Sequence, residues 1–158
     1  MNRKRQIVSG GRISLLLFLL SACSLSLSGA NESKESEFLV EALEYAVKNS
    51  PYVAVVEDVD VTVNSENNID DEHVYQVRVI ETFRGPKLLD LSYTMVVGKG
   101  ESVSLASKPY IVTLCGEPTN FYWPGTGANF PVNEVTLRVV QSVLDSLDSG
   151  ENKFSNCD

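Results

Sequence analysis

A chain of 158 residues with 43% hydrophobic side chains has enough apolar material for one domain with its own core. Its 13 Lys and Arg against 21 Asp and Glu give a formal net charge of -8, which argues against nucleic acid and anionic headgroups as direct partners, since binding there depends on basic side chains displacing counterions. One histidine and three cysteines, with no CxxC, exclude the common structural zinc sites on ligand count.

The chain opens with a basic front, Arg3, Lys4, Arg5 and Arg12, followed by the apolar run Ile13 to Leu20. That run is too short to cross a hydrocarbon layer of about 30 Å as a stable helix, so residues 1–22 read as an export signal. LSAC, residues 20–23, then resembles the bacterial lipobox, in which an aliphatic and two small residues precede a cysteine that is acylated and becomes the mature amino terminus. The resemblance implies a lipid on Cys23 and, from Ser24 behind it, forwarding to the outer membrane. The residues also allow a plain secretory signal cut at Ser28-Gly29-Ala30, where small side chains suit the general signal peptidase. Several acyl chains at about 0.8 kcal/mol per buried CH₂ hold a protein at a bilayer almost permanently. Because four basic residues and no acidic ones leave with the signal, the mature chain has nine basic against 21 acidic residues, or -12.

Either cleavage removes Cys23 from the free thiols and leaves Cys115 and Cys157, which an oxidising compartment would join as a disulfide. After Cys23 the small polar run to about residue 36 reads as a flexible tether, and residues 37–158 as a single domain. Leu39, Leu43, Ala46 and Val47 recur at helical spacing and Pro51 stops them, giving an amphipathic helix. The period then changes to two. Tyr52 to Val63 and His73 to Phe83 read as β-strands around a polar turn. Leu88 to Val97 reads as a third strand, with Leu89, Leu91, Tyr93, Met95 and Val97 on one face. Pro109 to Cys115 reads as a buried fourth strand and Ala128 to Val132 as a short fifth. Leu137, Val140, Leu144 and Leu147 then form a helical stripe, with Asn133 as its cap and Gly150 as its stop.

Strands flanked by terminal helices make an α+β domain. VYQVRVIETFRGP followed by a strand, a glycine turn and PYIVTLCG resembles the netrin-like domain shared with tissue inhibitors of metalloproteinases. The resemblance covers Tyr52 to Cys115 and implies a small antiparallel β-barrel of the oligonucleotide/oligosaccharide-binding (OB) type with four to five strands. A cystatin-like curved sheet on a helix is the competing architecture. The inhibitors' mechanism does not carry over: it needs a free amino-terminal cysteine in a C-x-C, whereas Ser24 and Leu25 follow Cys23 and acylation would remove its basic amine.

Asp70, Asp71, Glu72 and His73 offer metal-ligating atoms, but adjacent residues on an extended chain point apart. No G-x-S-x-G or phosphate-cradling loop is present. No catalytic residue, metal or cofactor is therefore expected. The consecutive aromatics Phe121, Tyr122 and Trp123 before a Pro-Gly turn are the candidate partner-binding loop, because they cannot all face one core; alternatively they cap the barrel end beside Cys115. The expected function is that of a membrane-anchored envelope lipoprotein, facing the periplasm, whose non-enzymatic domain binds another envelope protein. Binding of a small ligand or divalent cation is the alternative.

Overall fold

The computed structural model describes residues 29–65, 68–125, 129–147, 154 and 157, without the side chains of 29–35. Cys23, the signal and Gly150 lie outside the described residues.

Helix α1, Gly29–Lys48, begins inside the segment expected as tether. Ala30 and Lys34 are good helix formers, no proline interrupts the run, and Glu32, Glu35 and Glu37 place negative charge toward the positive end of the helix dipole. Its far end is closed by Asn49, whose backbone and side-chain N–H groups both donate to the Tyr45 carbonyl at 3.1 and 2.8 Å. Arg84 supplies a further cap by donating to the carbonyls of Val47 and Ser50 at 2.7 and 2.9 Å.

Strand β1, Tyr52–Asn64, is buried over its first five residues and exposed over most of its second half. Strand β2, Asp70–Arg84, runs antiparallel to it with register shifts at Val53/Ala54, Val55/Val56 and Asp58/Asp60. Such bulges bend a strand and increase its twist, and here they curl the sheet. Strand β3, Asp90–Gly98, pairs antiparallel with β2, and β4, Tyr110–Leu114, with the first half of β1. Strand β5, Phe121–Tyr122, lies parallel to β3, and β6, Asn129–Pro131, antiparallel to β4. The order across the sheet is β5-β3-β2-β1-β4-β6. Helix α2, Glu134–Ser146, closes the fold.

The result is an α+β domain with a curled six-stranded mixed sheet, a half-barrel, and two helices. The all-antiparallel expectation is corrected by β5: after β4 the chain turns at Gly116, whose φ is +89° and whose added Cβ would lie 2.2 Å from the Asn120 carbonyl oxygen. It returns beside β3 in the same direction. The short strand expected near Ala128 to Val132 is β6.

Two cores follow from the curl. On the concave side Tyr52, Ala54, Val56, Tyr75, Val77, Leu91, Tyr93, Tyr110, Val112, Leu114 and Phe121 pack together. On the convex side of β1, β4 and β6, Val53, Val55, Ile111 and Phe130 meet Leu43, Ala46 and Val47 of α1 and Val140 of α2. β1 is apolar on both faces at its start because both are covered, and each fully buried valine there contributes about 1.5–3 kcal/mol. Leu89 does not join its expected face; it precedes β3 in the β2–β3 turn and is 83% exposed. Asn133 caps α2 as expected: its side chain accepts from the backbone of Val135 and Thr136, and Thr136 Oγ1 accepts from the Asn133 backbone N–H. The helix ends at Ser146, short of Gly150, with Leu147 as an extended C-cap.

Candidate functional site

The concave face carries the chemistry of this molecule. Asp58 continues the inward alternation of Tyr52, Ala54 and Val56 along β1 and accepts from the Tyr110 hydroxyl at 2.5 Å; the bulge that follows brings Val61 to the same face. The Tyr93 and Tyr110 hydroxyls are 3.1 Å apart; since Tyr110 gives its proton to Asp58, Tyr93 is the donor to Tyr110. Tyr75, opposite Tyr93 in the β2–β3 register, stacks on it at 5.2 Å with planes 9° apart. Burial pushes the Tyr93 and Tyr110 hydroxyls well above their usual range. The Tyr93 hydroxyl and the Asp58 carboxylate add to the effect on Tyr110. These phenols hold their protons, and the hydrogen-bonded chain Tyr93–Tyr110–Asp58 fastens neighbouring segments together.

What it fastens is the connection from β3 to β4, residues 99–109, which crosses as a strap. At one end Asp71, facing inward on β2, accepts from Ser65 Oγ at 2.6 Å and the Gly100 N–H at 2.8 Å, and pairs with Lys99 at 2.9 Å. The Ser65 hydroxyl first, then the Gly100 N–H and the Lys99 ammonium, hold the Asp71 carboxyl well below the usual carboxylate range. At the other end Asp58 takes the Ala106 N–H at 2.6 Å beside its bond to Tyr110. Two aspartates on neighbouring strands therefore hold the strap at both ends. His73, next inward from Asp71 on the same face, is buried with its ring 6.5 Å from Tyr75, and its Nε2 has no partner among the described residues.

The Asp70 to His73 run splits between the two faces of β2: Asp71 and His73 point inward, and Glu72 outward. Among the described residues no group of three or more His, Cys, Asp or Glu side chains comes together as a metal site.

The aromatic triple forms a second constellation. Phe121 is buried with its ring 4.7 Å from that of Tyr52. Trp123, on the same side, packs half-buried against the concave core; its backbone N–H donates to Thr94 at 2.9 Å, and its indole nitrogen is buried without a partner among the described residues. Tyr122 turns the other way. Its backbone exchanges two 3.0 Å hydrogen bonds with Cys115, and its hydroxyl donates to the Cys157 carbonyl at 3.0 Å. Cys115 and Cys157 are joined by a disulfide, as expected. The stretch is thus a clasp between β4, β5 and the chain after α2. As a partner-binding loop it loses Phe121 to the core and keeps the half-buried Tyr122 and Trp123. Near the same clasp Phe154 lies under the Arg84 guanidinium, 5.7 Å from its carbon to the ring centre.

Sequence reading missed the strap and its two anchors. The available signal was acidic: Asp58 follows directly on the buried run Tyr52 to Val56 with the same inward alternation, and an acid on a core face needs a local reason. No known protein family matches this chain, and no curated protein resembles it enough to count as a relative.

Proposed function

We propose that this protein is a lipid-anchored component of a bacterial envelope, facing the periplasm from the outer membrane, whose domain binds another protein and performs no catalysis. The observation that carries the reading is LSAC at residues 20–23 directly after a short apolar run behind a basic front. The joined Cys115–Cys157 pair supports it, because disulfides persist in the oxidising compartments an exported chain reaches.

The domain is further read as a barrel of the OB type. The Cys115–Tyr122 bridge connects the end of β4 to β5, so pairing runs in a cycle, β1-β2-β3-β5-β4 and back to β1, with β6 and the helices outside it. Such barrels are scaffolds for binding, and the acidity of this one favours protein over nucleic acid.

The test is fatty-acid labelling in a bacterial host. The wild-type chain should take up label and Cys23→Ser should not, the variant remaining soluble or unprocessed. A processed wild-type chain without label would end the anchored reading.

A further inference from the structure

Strand β1 is longer than its neighbours on one side. β2 accompanies it from Val53 to Asn64, whereas β4 leaves it at Val56. Among the described residues nothing pairs with the other edge of Val59 to Asn64; the strap is tied at either end of that stretch, at Ala106 through Asp58 and at Gly100 through Asp71, which also holds Ser65. The direction of the groups on that edge can be read. The Val61 N–H is taken by the carboxylate of its own neighbour Asp60 at 2.9 Å, so it points away from β2. With a period of two, Val63 points the same way, while Thr62 and Asn64 face β2.

We propose that this free edge of β1, from Val59 to Asn64, is a docking site for an extended basic segment of a partner protein, which adds there as a further strand. The proposal rests on the protein-binding reading and names its partner class. Main-chain pairing supplies affinity in such additions and alternate side chains supply selectivity. On the inner face the newcomer would lie beside Val61 and the 45% exposed Val63, which calls for apolar residues. On the outer face it would meet Asp60, with Glu72 one strand further on opposite Asn64, which calls for cations. A second copy of this chain fits poorly, because each copy carries a net charge of -8 and would bring its own Asp60 and Glu72 to the contact.

Full-length protein in non-ionic detergent micelles is titrated with a short synthetic peptide alternating lysine and valine, and amide hydrogen exchange is followed residue by residue. Val61 and Val63 should become protected, and Thr62 and Asn64, already bonded to β2, should change little. A glutamate–valine peptide should bind on the order of tenfold more weakly. Val61→Pro removes an edge N–H without touching the β2 ladder, so it should fold and lose the protection at Val63. If that variant does not fold, Asp60→Lys combined with Glu72→Lys decides the matter by reversing the preference between the two peptides. Protection elsewhere, equal binding of both peptides, or self-association through β1 without peptide would overturn the proposal. None of these outcomes alters Cys23 labelling, so failure of the edge and failure of the anchor are separable.

Discussion

Trp123 shows how one side chain can hold two opposed terms. Its ring covers the concave core, while its indole N–H is buried without an acceptor among the described residues, a loss of about 1–3 kcal/mol where no water reaches it. Removing only the donor is therefore expected to be cheap. Trp123→Phe should cost less than about 1 kcal/mol in urea unfolding, and Trp123→Ala about 2–3 kcal/mol through lost packing. Equal losses would mean that the nitrogen is satisfied. The buried phenols predict an alkaline limit. Tyr93 and Tyr110 are raised by burial above the ordinary tyrosine value, so the folded state keeps protons that the unfolded chain releases above about pH 10. Stability contributed by these groups is intact below that pH and falls as pH rises past it. Denaturant midpoints taken between about pH 9 and 12 should decline, and Tyr110→Phe should flatten the decline. Little of this was legible in sequence, because a tyrosine's role depends on which hydroxyl it meets across the sheet.

The elements divide by how much periodicity they carry. Leu43, Ala46 and Val47 announce α1, Tyr52 to Val56 announce β1, and Leu137 and Val140 announce α2, since repeated burial on one face leaves a repeated pattern. β5 has two residues and no period to show, and its parallel partner β3 lies more than twenty positions earlier. The start of β2 was also hidden: Asp70 and Asp71 read as a turn, yet Asp71 is buried at the strap's anchor. The start of α1 shows the converse, helix-forming residues in a run whose serines and glycine suggested coil. At the other end of the domain the cap on α2 was readable to the residue. Asn133→Ala should lower stability by about 1 kcal/mol, while Asn133→Asp or Ser should retain most of it. Denaturant unfolding of the three variants checks this, and an unaffected alanine variant would mean that the capping box contributes nothing to the folded state.

For the whole molecule the decisive tie is the disulfide, which spans 42 positions between Cys115 and Cys157. The pair was legible from counting thiols; its place at the junction of β4 and β5 was not, because that junction exists only once the sheet has curled. Constraint of the unfolded chain by such a loop is worth about 4 kcal/mol at most. Cys157→Ser should therefore lower stability by roughly 2–4 kcal/mol. It should also increase exchange at the Cys115 and Tyr122 amides, and unchanged exchange there would separate the disulfide from the β4–β5 pairing. The order of synthesis adds a last consequence. A chain emerging amino end first presents all six strands and α2 before Cys157 appears. For that interval the contact between the end of β4 and β5 rests on the paired backbones of Cys115 and Tyr122, without the covalent tie. A cysteine introduced in an earlier strand would compete with Cys157 for Cys115 before the fold is complete, so late arrival of the true partner makes added upstream thiols a hazard to correct pairing.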